Sequence, residues 1–114
     1  MKCREIVEIL SATPLESKDL LDFDVNYAFA SDLMSDVLTV KSSDFVLITG
    51  LVNLQTLRTA EMSDIKCVVF VRGKEVSEEI RELAKENDIL IMTTSFSMFH
   101  SVGLLYSAGL KPVF

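Results

Sequence analysis

Asp44-Phe-Val-Leu-Ile-Thr-Gly50, Lys66-Cys-Val-Val-Phe-Val-Arg-Gly73 and Ile89-Leu-Ile-Met-Thr-Thr-Ser95 decide the fold of this chain. Each is a short apolar run that ends in small polar or basic residues, and each leads into a segment with helical spacing. Runs of this kind form strands buried on both faces, because the crossover helices of a parallel sheet cover both sides. Between Asp44 and Gly109 the strand, turn and helix pattern therefore occurs three times in succession. In such sheets ligands bind beyond the carboxyl ends of the strands, where the three polar endings would gather.

The helices follow from the same spacing. Asn53 can cap a helix to about Ser63, with Val52 and Leu57 at the positions of a hydrophobic staple. Ser77 can cap a helix to about Glu86, with Glu78 and Glu79 near its positive end and Lys85 near its negative end. Ser97 can open a helix with Met98, Val102 and Leu105 in one row and Phe99 and Tyr106 beside it, stopped by Gly109. Lys111 to Phe114 adds a short edge strand. Upstream, Cys3, Ile6, Val7 and Leu10 mark a first helix over about Lys2 to Ser11, ended by Thr13-Pro14. Leu15 to Asp22 reads as an acidic, irregular connector. Phe23, Val25, Tyr27 and Phe29 alternate with smaller or polar residues as a strand with one apolar face. Ser31 or Asp32 then caps a short helix from Leu33 to about Val40.

With 114 residues the chain makes one domain, residues 1–114. A hydrophobic fraction of 49% with mean hydropathy +0.35 is rich for this size. It fits a doubly covered sheet, an apolar patch for a partner subunit, or both. The net charge of −6 speaks against nucleic acid and against anionic membrane surfaces as partners. It leaves room for a small anionic ligand, which needs only one local cation and some N–H donors. Ile89 to Leu110 carries no formal charge apart from a proton on His100. Thr93, Thr94, Ser95, Ser97, His100, Ser101 and Ser107 interrupt it, so it divides into a strand and a helix and does not span a membrane. Two cysteines and no secretory signal point to the cytoplasm.

Three places can carry chemistry, each with a plainer structural role. Thr49-Gly50 with Asn53 delivers the chain to a helix start, where N–H groups can hold an anion. There Gly50 can equally serve a tight turn and Asn53 a cap. Arg72-Gly73-Lys74 could neutralise a phosphate or carboxylate, or form a solvated turn. Thr93-Thr94-Ser95 with Ser97 could cradle an anionic or polyol ligand, or form turns and a cap. His100 has no acidic or cysteine neighbour, Cys67 lies inside a strand, and one histidine with two distant cysteines gives no zinc spacing. Asp32 and Asp36 share a helix face that reads as solvated or capping, and no cofactor is expected. No nucleophile, base and orienting group are visible together, so an enzyme is not expected.

From about Asp44 to Leu110 the chain resembles DRTGG domains, and through them the N-terminal domain of HPr kinase/phosphorylase. The residues that carry this are Val46-Leu-Ile-Thr-Gly50, Leu57-Arg-Thr-Ala60, Cys67-Val-Val-Phe-Val-Arg-Gly73, Ile80-Arg-Glu-Leu-Ala84 and Ile91-Met-Thr-Thr94 before Met98-Phe99. Ala30-Ser-Asp-Leu-Met-Ser-Asp-Val-Leu38 looks like the upstream part of small stand-alone members. The namesake Asp-Arg-Thr-Gly-Gly string is absent, and Thr49-Gly50-Leu51 stands where related domains often carry Gly-Asp-Arg. No GxxxxGK[ST] motif occurs, so the phosphoryl-transfer half of HPr kinase is not expected. The resemblance implies a regulatory or ligand-sensing module in place of a reaction.

The expectation is an α/β domain in three layers, a mainly parallel sheet of about four or five strands with helices on both faces. It is a non-catalytic cytoplasmic regulatory module that binds a small anionic metabolite or nucleotide. Thr49, Gly50, Asn53, Arg72, Gly73, Thr93, Thr94 and Ser95 line its site. The alternative is a docking or dimerisation module without a small ligand, a homodimer or the companion of another protein, using Phe96, Met98 and Phe99.

Overall fold

The structure is a computed structural model that describes residues 1–114. Its three layers are built on one sheet of six strands. In chain order the elements are α1 (Cys3–Ile9), β1 (Thr13–Glu16), β2 (Tyr27–Ala30), α2 (Met34–Val37), β3 (Phe45–Thr49), α3 (Leu54–Met62), β4 (Cys67–Phe70), α4 (Glu78–Glu86), β5 (Leu90–Thr93), α5 (Met98–Ser107) and β6 (Lys111–Pro112). The strands lie in the order β1-β5-β4-β3-β2-β6. All neighbours are parallel except β1, which runs antiparallel on the β5 edge.

Alternation along the strands divides the core in two. Phe45, Leu47, Val68, Phe70 and Ile91 point to the face covered by α2, α3 and α4. Val46, Ile48, Cys67, Val69, Leu90 and Met92 point to the face covered by α1 and α5. Every residue of β3 and β4 is buried, as two-faced coverage requires. Fully burying each large aliphatic or aromatic side chain contributes roughly 1.5–3 kcal/mol, so these two strands anchor the domain.

The caps behave as their residue types demand. Asn53, Ser77 and Ser97 each accept a hydrogen bond from the N–H three residues on. Val52 and Leu57 meet in the same core cluster, as a staple should. The stretch from Ile89 to Leu110 divides into β5 and α5, and no helix of the chain is long and apolar enough to cross a membrane.

Several expectations need correction. The sheet has six strands, since Thr13–Glu16 forms a strand where a connector was expected. Pro14 is tolerated there because β1 is an edge strand. Residues 18–22 close into a 3₁₀ turn. The strand expected from Phe23 begins only at Tyr27, and its apolar residues serve both faces: Val25 enters one core cluster, whereas Phe29 packs against the other. Leu33, not Ser31 or Asp32, stands at the N-cap of α2, without a side-chain cap bond. On α5, Leu105 and Ser101 are buried, while Phe99 and Tyr106 face outward. The edge strand β6 covers only Lys111–Pro112.

Candidate functional site

The route of the chain fixes where a ligand edge lies. After β3 and β4 it turns to the face of α3 and α4; after β5 it turns to the opposite face, into α5, and crosses to β6. Loops leaving two neighbouring parallel strands in opposite directions open a crevice between them, the topological switch point of an open α/β sheet. Here it falls between β4 and β5. Arg72 and Gly73 line one side, Thr94 and Ser95 the other.

The two loops are clasped across that crevice. Arg72 N–H donates to the Phe96 carbonyl at 2.8 Å, and Gly73 N–H donates to the Thr94 carbonyl at 2.9 Å. Both residues are left-handed, with φ +70° at Arg72 and +65° at Gly73. Glycine adopts this conformation freely. For arginine it costs about 1–2 kcal/mol, which the clasp offsets. A Cβ on Gly73 would lie 3.7 Å from Ser95 Cα, so the loops also approach closely. The Arg72 guanidinium is exposed and forms no ion pair or hydrogen bond with the protein.

Thr94 holds the clasp from below. Its Oγ1 donates to the Leu10 carbonyl at 2.7 Å and accepts from Phe96 N–H at 3.2 Å, joining the end of α1 to the end of β5. Thr94 is thus a buried structural hydroxyl. Thr93 lies opposite Thr13 of β1 and is half-buried, and the Ser95 side chain is exposed.

The Gly50 turn was expected to offer N–H groups to an anion, and it does hold one, from the protein itself. Asp32 Oδ1 accepts from Gly50 N–H at 2.7 Å and from Thr49 Oγ1 at 3.0 Å. Lys74 Nζ closes the other side, donating to the Gly50 carbonyl at 2.6 Å. Gly50 does not have a left-handed φ, and a Cβ there would lie 3.5 Å from both Asp32 oxygens. Its role is to let the carboxylate approach. Asn53 is a cap whose carbonyl receives Thr56 N–H at 3.0 Å.

The eight expected residues thus divide by use. Thr49, Gly50, Asn53 and Thr94 have their polar groups satisfied internally, and the Arg72 and Gly73 amides are taken by the clasp. The Arg72, Thr93 and Ser95 side chains remain available around the switch point. None of the five principal surface crevices is lined by these three residues. No group of three or more His, Cys, Asp or Glu side chains could hold a metal ion, and Asp32 faces Gly50 instead of pairing with Asp36.

The family model of the DRTGG domain matches residues 5–108. The chain belongs to the DRTGG domain family. The match runs from within α1 to the C-terminal end of α5, so it takes in every buried residue of one core cluster, all but Cys3 and Leu110 of the other, and the whole switch point. Among solved structures, the chain resembles the CBS and DRTGG domains of the regulatory region of Clostridium perfringens pyrophosphatase, a complex with the activator diadenosine tetraphosphate. The TM-score is 0.75 at 22% identity, and the match covers 95% of this chain and 46% of that chain. At that identity the likeness is one of fold, and this DRTGG domain spans about half of the chain it matches. No curated protein matches.

Asp32 is the site residue that sequence reasoning placed wrongly. Its type suggested a cap. Parallel pairing of Ala30 with Ile48 carries it to the level of Gly50, a relation visible only once the register is known. The Leu10 carbonyl was missed for the same reason, since Thr94 reaches it across 84 residues of chain.

Proposed function

We propose that this DRTGG domain is a non-catalytic regulatory module that takes a small anionic ligand of the nucleotide class at the β4–β5 switch point. The observation that carries the proposal is Arg72, an unpaired, exposed cation held in a left-handed backbone just beyond β4 at the switch point. Arg72 supplies the charge. The Ser95 and Thr93 hydroxyls orient the ligand, and Gly73 lets the loops lie close beneath it. Two backbone hydrogen bonds hold the clasp, so a ligand that parts or tightens the loops couples the edge to α1 through Thr94. The nucleotide activator of the Clostridium perfringens regulatory region supports the ligand class.

Arg72→Gly tests this cleanly, because glycine takes φ +70° without strain. ATP, AMP and diadenosine tetraphosphate are offered to wild type and variant in a thermal-shift titration. Wild type should gain stability with at least one of them, about 2.7 kcal/mol at a hundredfold excess over Kd. The variant should keep or raise its own unfolding midpoint and lose the response. A wild-type protein that ignores all three, or a variant that responds equally, overturns the proposal.

A second use of the domain is favoured by α5. Phe99 is 90% exposed and Tyr106 68%, on a helix with no Asp, Glu, Lys or Arg in a chain of net charge −6. Two copies can appose this face without bringing like charges together, which fits a homodimer. Sedimentation should show concentration-dependent association that is abolished by Phe99→Asp with Tyr106→Asp. A wild type that stays monomeric at all concentrations sinks this reading.

A further inference from the structure

The residue that receives the Arg72 amide carries an aromatic stack. Phe96, whose carbonyl accepts from Arg72 N–H at 2.8 Å, lays its ring against His100 with a centroid distance of 4.2 Å and an interplanar angle of 22°. The stack is fixed from both ends. Phe96 is half-buried and packs against the core cluster beneath α1 and α5, so its ring is rooted in the fold. Ser97 Oγ accepts from His100 N–H at 3.1 Å, which holds His100 in the first turn of α5. His100 is exposed, and its imidazole forms no hydrogen bond or ion pair with the protein.

Beside His100 the surface is open. Gly103 lies three residues on, hence on the same side of the helix. A Cβ there would meet nothing within 4 Å. An open crevice of about 440 Å³ runs over Phe99, His100, Gly103, Leu104 and Ser107.

We propose that the Phe96–His100 stack is a base-reading platform, with the aromatic base of a nucleotide lying on the outer face of the His100 imidazole, over Gly103, while its phosphates meet Arg72. The inference rests on the reading of Arg72 as the anion-binding group, and adds the part of the ligand that a bare phosphate lacks. Aromatic and histidine rings hold unpaired bases by stacking, and every base offers a π face for it. A nucleotide carries phosphate and base at opposite ends of one ribose, so a single molecule meets both groups. The Arg72–Phe96 hydrogen bond joins the backbone of the cation directly to the residue beneath the platform. No Asp or Glu on α5 opposes the phosphates. His100 is then a specificity-determining residue, since it separates nucleotides from other small anions.

The test compares ATP with inorganic tripolyphosphate, its base-free counterpart, by calorimetric titration of the full chain. Wild type should bind ATP more tightly. His100→Ala should weaken ATP about 5- to 150-fold and leave tripolyphosphate unchanged. His100→Phe keeps an aromatic plane and should retain the ATP preference. Gly103→Leu fills the space beside the ring and favours the helix, so it should lose the preference with an unfolding midpoint equal to or above wild type. Arg72→Gly should weaken both probes. His100 is the chain's single histidine, so its imidazole C–H signals report directly. At about pH 8.5, above the ordinary imidazole range, ATP should move them upfield by ring current and tripolyphosphate should not. Equal binding of the two probes by wild type, or an unchanged ATP affinity in His100→Ala, overturns the platform while leaving the role of Arg72 standing. If wild type binds neither probe, both readings fall.

Discussion

Phe70→Ala is expected to destabilise the domain by about 3–5 kcal/mol. Phe70 ends β4, a strand flanked on both sides, and lies level with Thr49 on β3 and Thr93 on β5. It is fully buried in the cluster that holds Leu47, Leu57, Val68 and Ile91. The surrounding side chains sit on hydrogen-bonded strands and on α3, so they cannot move in to fill the space left by the ring, and the cavity adds to the lost burial. Domains of this size hold only about 5–15 kcal/mol in total, so the variant would keep a thin margin. Equilibrium urea unfolding should show a lower midpoint with an unchanged slope. Phe70→Leu should lose less than half as much. A loss below about 1 kcal/mol for alanine would mean the ring is not the packing centre that its burial indicates. The same substitution should weaken the clasp above it, because the Phe70 carbonyl receives Thr94 N–H at 3.0 Å and the chain enters the turn at Arg72 two residues later.

The sheet's interior was legible in sequence because both faces of β3, β4 and β5 are covered, and such strands write themselves as unbroken apolar runs. The helices that follow were legible through Asn53, Ser77 and Ser97, whose caps are local chemistry between residues three apart. Local information failed where a residue's role depends on distant chain. Thr13–Glu16 carries a proline and a glutamate, and becomes a strand only because the β5 edge is there to receive it. Phe99 sits on a plausible apolar row, but α5 has more apolar surface than one sheet face can bury, and sequence does not say which side loses. The candidate edge shows the same division. That Arg72 and Ser95 each follow a strand was legible in the repeated pattern; that those strands are neighbours comes from the pairing of β4 with β5. That Asp32 fills the Gly50 turn, and that Thr94 faces inward to Leu10, follows from register and helix placement. The polar endings alone overstate the site, because half of the residues that look ready for a ligand are already bonded to the protein.

Thr94→Val should therefore act on stability first, with a loss of about 2–4 kcal/mol. Valine matches threonine in shape but lacks the hydroxyl, so the substitution removes hydrogen bonds without opening a cavity. Two backbone groups lose their partners together. The Leu10 carbonyl belongs to a fully buried residue, and Phe96 N–H lies in the half-buried loop beside the clasp. A polar group left buried and unpaired costs about 1–3 kcal/mol, more than the net worth of the bond it lost. The effect should also be directional. With the tie to β5 gone, the amides of α1 should exchange faster with solvent, while those of α3 and α4 on the opposite face stay protected. Thr94→Ser keeps the hydroxyl and should recover most of the stability. A Thr94→Val protein with wild-type stability and unchanged exchange in α1 would show that the hydroxyl is not structural. In that case Thr94 would return to the set of groups free to meet a ligand at the switch point.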